Sequence, residues 1–277
     1  MKTLVIQSYR IENVPDWIAR CLETVRLWAG DQGFDYQLAG DDSFQLCGDD
    51  YLSRVGDNVR SITNLSRLIL VQQAHAAGYD RAVWLDADIL IFAPEQFRIE
   101  LTQRYAFARE TWIGRHRFGD WFAQAGVNNS VFVCMADEPD LAFLISAIRH
   151  IALNRPIQSN YQVGGDVIKG LRASLDFQVL DNVGMFSNHV VAAIARGEDA
   201  VLHAQARFHA TPIQAANLCA GAHYRPPSTD AEALAAIDVL CRSRGDIVNA
   251  WLSEGGLQAE TYPGFTRFAL SQSVVGA

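Results

Sequence analysis

Apolar and polar positions along the first third of the chain fall into two alternating rhythms. Thr3 to Ser8 is a short apolar run that reads as a buried strand. Asn13-Val14-Pro15-Asp16 then opens a helix with Pro in its first turn, and Trp17, Cys21, Val25 and Trp28 fall on one face before a stop near Gly33. A second strand is predicted from Phe34 to Leu38, and the acidic stretch from Gly40-Asp41-Asp42 to about Asn58 reads as loop. Helical spacing returns from Ser61 to about Ala77, carried by Ile62, Leu65, Ile69 and Ala76, with Gly78 as the stop. Arg81 to Phe92 follows as the strongest strand signal in the chain.

After Pro94 the periodicity weakens. Strand-like pieces stand at Tyr105 to Ala108, Val127 to Met135 and Phe177 to Leu180, and helices at Pro139 to Ala152 and Gly165 to Ala173. Beyond Pro226-Pro227, Thr229 and Glu232 are spaced as a capping box heading an Ala- and Leu-rich helix. Helices alternating with strands predict a doubly wound α/β sheet whose ligands sit beyond the carboxyl ends of the strands. Residues 1–212 are expected to form that body and residues 213–277 a C-terminal helical appendage.

Composition narrows the partners. At 277 residues, 49% hydrophobic and 19% charged, the chain has the profile of an enzyme-sized globular protein with room for one large core. Its 23 Lys plus Arg against 31 Asp plus Glu leave a net charge of −8. That balance argues against duplex nucleic acid, whose binding rests on basic side chains neutralising phosphates. A small anionic ligand would need positive charge supplied locally. Five widely spaced cysteines without a CxxC pair indicate neither a disulfide framework nor a zinc knuckle, and fit a reducing compartment. No run reaches the ~18 apolar residues of a membrane span. Met1 to Ile6 reads as strand rather than signal peptide, so the expected location is cytoplasmic, with the inner face of the membrane as its peripheral variant.

The run Trp84-Leu85-Asp86-Ala87-Asp88-Ile89-Leu90-Ile91-Phe92 sets two carboxylates two residues apart in apolar surroundings. In a strand both would point to one face, at a cost of several kcal/mol if buried unpaired. They call for a cation. The alternative is a strand ending in a turn, with Asp86 capping an amide and Asp88 solvated, which the resumption with Ile-Leu-Ile-Phe disfavours. Hard carboxylate oxygens suit Mg²⁺ or Mn²⁺, ions that keep positions open for water and phosphate oxygens, so the element points to a metal–diphosphate site.

With Asp86-Ala87-Asp88 as a DxD motif, the sequence resembles glycosyltransferases of the GT-A fold, of the glycogenin-like and bacterial lipopolysaccharide galactosyltransferase type. Asn64-Leu65-Ser66-Arg67-Leu68 places Arg67 where that family carries an upstream helix arginine. Ala125 to Val133 is similar to its later N-x-G-hhh strand, and Ala200-Val201-Leu202-His203 to its late histidine at a strand end. The resemblance implies a Rossmann-like, mixed central sheet flanked by helices. It implies Mn²⁺ (or Mg²⁺) on Asp86, Asp88 and His203, and a nucleotide-sugar held by Gln7, Ser8, Tyr9, Arg67, Asp86, Ala87, Asp88, Asn129 and Arg207. The family's HxxGxxKP run is replaced by His203-Ala204-Gln205-Ala206-Arg207-Phe208-His209, with Arg207 standing in for the lysine. Taken alone, Tyr9 reads equally as a half-buried packing residue, Arg67 as an exposed helix arginine and His203 as a structural histidine.

Asp166, after Gly164-Gly165, is expected at the sugar hydroxyls or the catalytic face, with helix capping as the alternative. Between Arg104 and Phe122, Arg104, Arg109, Arg115, His116 and Arg117 interleave with Trp112, Phe118, Trp121 and Phe122. That mixture suits stacking on a sugar ring and gripping a phosphorylated or carboxylated acceptor, with Glu110 a candidate base for an inverting reaction. An exposed loop with aromatic anchors is the other reading. The expected activity is metal-dependent transfer of a sugar from a nucleotide-sugar, UDP expected, to a hydroxyl of a glycan or lipid-linked glycan in bacterial surface glycan synthesis. Retention is the favoured stereochemistry. Two other classes share the acidic motif: a haloacid-dehalogenase-type phosphatase with Asp86 as nucleophile, and a nucleotide-sugar binding module without turnover.

Overall fold

The computed structural model describes residues 1–115, 121–157, 162–172, 174–219 and 228–252, and the backbone of residues 264–268. Continuous apolar runs form the strands that are covered on both faces, as interior parallel strands require. β1 (Thr3–Ser8) is buried along nearly its whole length and lies parallel to both β2 (Asp35–Ala39) and β3 (Arg81–Leu85). Between β1 and β2 runs α1 (Asp16–Asp31), which turns Trp17, Cys21, Val25 and Trp28 inward as the periodicity predicts. α3 (Val59–Ala76) covers the opposite face of the sheet.

The main sheet has the order β2-β1-β3-β6-β5-β7, with β5 (Tyr105–Arg115), β6 (Trp121–Met135) and β7 (Gln178–Leu180). β6 runs antiparallel to β3 and β5, so the sheet is mixed, as expected. Its amino-terminal half also pairs with β10 (Gly264–Phe268). A second sheet joins β4 (Ile89–Ile91), β9 (Ala215–Asn217) and β8 (Val183–Met185). Later helices among the described residues fall at α4 (Asp140–Asn154), α5 (Gly165–Leu171), α6 (Asn188–Arg196), α7 (Asp199–Ala206) and α8 (Asp230–Ser243), followed by the single turn α9 (Asp246–Asn249). None of the described helices is long and apolar enough to cross a membrane.

Several expectations give way. The stretch from Asp41 to Asn58 is not loop, because it contains a 3₁₀ segment, Asp41–Cys47, and α2 (Asp49–Val55). Cys47, Tyr51 and Val55, four residues apart, form a narrow buried stripe under the acidic composition, and the Tyr51 hydroxyl donates to the Ser61 carbonyl. β5 and β6 extend well beyond their apolar cores, pairing polar and glycine-containing halves after a register shift at Phe107/Ala108.

The boundary at residue 213 does not separate an appendage. β9 pairs with both β4 and β8, and Ala233, Ala236, Ile237 and Leu240 of α8 share an apolar cluster with Trp17, Ile18, Leu90 and Phe92. The predicted capping box does form: Thr229 Oγ1 accepts from the Glu232 amide, and the Thr229 amide donates to the Glu232 carboxylate.

Candidate active site

The predicted strand from Arg81 to Phe92 is two strands. β3 ends at Leu85, and the Asp86 amide makes a last 2.7 Å bond to Ser130 O. A turn then closes through Ile89 N donating to Asp86 O, and the chain passes into the second sheet as β4. The two acids therefore lie in a turn at the seam between the sheets instead of sharing one strand face. Nor is Asp88 solvated, as an ordinary surface turn would have it, since both acids sit half-buried at the base of a cavity.

Donors from three elements converge on the pair. Asp86 Oδ1 accepts from the Trp84 indole N–H at 2.7 Å and faces Arg67 Nη2 at 3.2 Å. Arg67 lies over the Trp84 ring, 5.2 Å from its centroid, and donates to Thr63 O and Asn129 O. This arginine is 5% exposed, so it is a buried partner of the acids and not the exposed helix residue that periodicity alone allows. Asp88 Oδ1 accepts from Asn217 Nδ2 at 2.7 Å. Gln7, wholly buried, braces the turn from below, with Nε2 donating to Asp86 O and Oε1 accepting from the Tyr36 hydroxyl.

Burial first, then repulsion from Asp86, pushes the Asp88 carboxyl up to about 7. Burial also raises Asp86, against the lowering effect of Arg67. An acid raised on folding binds its proton more tightly in the folded state. Its contribution to stability is present below the ordinary carboxylate range and is lost as pH rises through the raised value. The metal-free protein is thus expected to lose thermal stability between pH 4 and about 7 through Asp88. Melting temperatures in chelator should show this decline, and Asp88→Asn should flatten it; equal pH profiles for the two proteins would contradict the assignment.

A cavity of about 900 Å³ opens above the turn. Ser8, Tyr9, Asp41 and Phe44 line one end, beyond the carboxyl ends of β1 and β2. Arg60, Thr63, Asn64 and Arg67 of α3 form a wall, and Asp86, Ala87, Asp88 and Asn217 the floor. At the far end stand Glu110 and Trp112 of β5, Gln124 and Asn128 of β6, and Asp166 and Lys169 of α5. Of the predicted residues, Ser8, Tyr9, Arg67, Asp86, Ala87, Asp88, Glu110, Asn129 and Asp166 come together here.

Asn129 donates through Nδ2 to Asn64 Oδ1, and the Asn64 amide packs so closely on Gly164 that a β-carbon there would lie 2.1 Å from it. The capping alternative for Asp166 is not what forms, since Gly164 is the N-cap of α5 and no side chain caps it. Glu110 is ion-paired with Lys169 at 2.5 Å, and its carboxyl is raised by burial against the pull of that lysine.

His203 and Arg207 do not join this group. His203 lies within α7, its ring 5.2 Å from that of Trp251, and Arg207 follows as the helix C-cap; neither lines the cavity. Asp199 to Ala206 continues as helix where a strand end was expected, and the strand end that does reach the acids is Asn217 of β9. Its only sequence signal is a polar residue inside the buried run Ala215 to Leu218.

The expected cationic grip also disperses, with Arg104 on Asp137 and Glu138, Arg109 on Asp181, and Arg115 over the Trp121 ring. His116, Arg117 and Phe118 lie outside the described residues. Among the described residues no three His, Cys, Asp or Glu side chains converge as a metal cage. The donor set of two carboxylates still fits Mg²⁺ or Mn²⁺, which are commonly held by one or two carboxylates plus substrate phosphates and water.

No family profile matches this sequence, and no curated protein sequence does. Solved structures do match. A glycosyltransferase involved in the glycosylation of the major capsid of PBCV-1 superposes with a TM-score of 0.52, covering 86% of this chain and 99% of its own at 11% identity. This chain has the fold of that glycosyltransferase. The apo-form glycosyltransferase GlyE of Streptococcus pneumoniae TIGR4 aligns with a TM-score of 0.48 at 11% identity over 92% of this chain, which spans 64% of that one.

Proposed function

We propose that the protein is a glycosyltransferase that moves a sugar from a UDP-sugar to a hydroxyl of a neutral glycan or lipid-linked glycan, in the synthesis of a bacterial surface glycan. The observation that carries this reading is the acid pair at the floor of the cavity, within a fold shared with a glycosyltransferase. The nucleotide occupies the Ser8, Tyr9 and Phe44 end, where aromatic faces meet polar groups. Asp86 and Asp88 hold Mn²⁺ or Mg²⁺, which when bound supplies Lewis-acid stabilisation of the departing diphosphate. Arg67 adds fixed positive charge beside the acids, and Arg60 stands on the same wall.

The acceptor enters at the Glu110, Trp112 and Asp166 end. The acceptor oxygen bonds to the anomeric carbon as the bond from that carbon to the phosphate oxygen breaks. In the retaining course the acceptor attacks on the face the diphosphate leaves, the departing phosphate oxygen takes the hydroxyl proton and Glu110 orients that hydroxyl; proton capture by Glu110, whose proton affinity burial raises, belongs to the inverting course. Retention remains the favoured outcome, with Asp166 on the sugar hydroxyls. The described side chains here set Glu110 and Asp166 against Lys169, a balance suited to a neutral acceptor and not to the phosphorylated or carboxylated one expected earlier.

A screen of UDP- and GDP-sugars with Mn²⁺, with p-nitrophenyl phosphate in parallel, tests the reading. UDP release from at least one UDP-sugar is expected. Phosphatase turnover without release of UDP would replace it with the phosphatase. Stabilisation by UDP plus Mn²⁺ without turnover against a glycan acceptor panel would reduce it to a binding module.

A further inference from the structure

The hydrogen bonds to the two acids are unequal in kind. Asp86 Oδ1 is held twice, by the Trp84 indole N–H at 2.7 Å and by the buried Arg67 guanidinium at 3.2 Å. Asp88 Oδ1 is held by the Asn217 amide at 2.7 Å. The orientation of that amide is not arbitrary. Asn217 Oδ1 accepts from the Cys219 backbone N–H at 2.9 Å and from the Cys219 thiol at 2.7 Å, so the oxygen is committed and the NH₂ group must face the acid. Cys219 takes up this position at φ 42°, in the left-handed region that non-glycine residues seldom adopt.

We infer that Asn217, with its amide set by Cys219, is a positioning residue that fixes Asp88 for a divalent cation, and that Trp84 does the same for Asp86. The inference rests on the cation site of the proposed function. Each donor fixes the plane of its carboxylate through Oδ1, and the two acids so oriented would hold the cation with the lone pairs these bonds leave. The two acids then differ in what they offer. Arg67 is ion-paired with Asp86 and acts on Asp88 only from farther off, whereas the amide that orients Asp88 is neutral and leaves more of its charge for the ligand. Asp88 becomes the principal anchor, and Asn217 the donor on which that anchor depends. Outer partners of this kind typically change metal affinity by about 10–100-fold when removed.

Mn²⁺ titration followed by the electron paramagnetic resonance signal of the free ion, with and without UDP, tests this without turnover. Asn217→Ala is expected to weaken Mn²⁺ binding by about 10–100-fold. Asn217→Ser, which keeps a hydroxyl donor, should recover part of the loss. Trp84→Phe, which keeps the ring under Arg67 and removes only the N–H, should have a smaller effect because Arg67 still holds Oδ1. If the protein turns over UDP-sugars, excess Mn²⁺ should restore kcat in Asn217→Ala, separating lost affinity from lost chemistry. Circular dichroism and UDP binding check that each variant folds.

Parent-like Mn²⁺ affinity in a folded Asn217→Ala variant, or no Mn²⁺ binding by the parent, overturns the inference. Asn217-dependent Mn²⁺ binding in a protein that turns over no nucleotide-sugar supports it while removing the transferase reading.

Discussion

Replacing Asp88 by alanine is expected to lower UDP release from a UDP-sugar by at least about 100-fold in kcat/KM, the scale on which a single preorganised electrostatic group acts on a transition state. The same substitution should leave the protein folded at neutral pH, and in chelator somewhat more stable than its parent. Both expectations have one cause. Asp88 is a half-buried carboxylate with a neutral amide on its Oδ1, so its ionisation opposes folding until a cation arrives. Removing it removes that opposition together with the anchor for the cation. Asp86→Ala should differ, because it leaves Arg67 buried without its carboxylate. Turnover and metal-free melting temperature, measured on both variants, separate these outcomes. An Asp88→Ala protein that retains turnover would remove the acid pair from the chemistry.

Arg67→Met is expected to be the most destabilising change at the site. The guanidinium is 5% exposed, and its loss leaves Asp86 as an uncompensated charge beneath the cavity. Breaking one partner of a buried pair typically costs about 3–5 kcal/mol. For a chain of this size that corresponds to roughly 10 °C in Tm. The main-chain bonds to Thr63 O and Asn129 O would be lost as well, loosening α3 from β6. The double variant Arg67→Met/Asp86→Asn should regain much of the stability, since position 86 then carries no unpaired charge. Calorimetry on the parent, both single variants and the double variant gives the coupling. Additive effects would mean that the pair contributes little, and that Arg67 acts through its main-chain bonds alone.

The local pattern reads correctly where an element is decided by its own neighbours. Val5 and Ile6 announce β1, the Trp17 to Trp28 stripe announces α1, and Thr229 with Glu232 announces α8. It fails where the deciding partner is remote. Ile89-Leu90-Ile91 looks like the continuation of β3 because a strand carries no mark of the sheet it will join, and here it joins β9. Tyr51 and Val55 are hidden in an acidic stretch because only three apolar positions are fully buried there, too few to set a period. The acids were legible from composition alone, since two carboxylates in an apolar run demand a partner.

Arg67 was legible only through a family resemblance, because its burial is produced by Asp86, Trp84 and β6, none of them adjacent in sequence. The family resemblance assigns the late residue of the site to His203, which α7 instead carries to the ring of Trp251. The position that reaches Asp88 was set by strand pairing of β9.

That pairing ties the site to the behaviour of the unfolded chain. Asn217 and Asp88 are 129 residues apart in sequence, and closing a loop of that length costs roughly 4 kcal/mol in chain entropy beyond a constant. One hydrogen bond to a charged group contributes about 1.5–3 kcal/mol and cannot hold such a closure by itself. What holds it is the burial of Ala216 and Leu218 against Leu90, Phe186 and Ile213 in the cluster behind the second sheet. The orientation of Asp88 is therefore set by aliphatic packing that never touches a ligand, and a cavity opened among those side chains would reach the acid through the slack it gives β9.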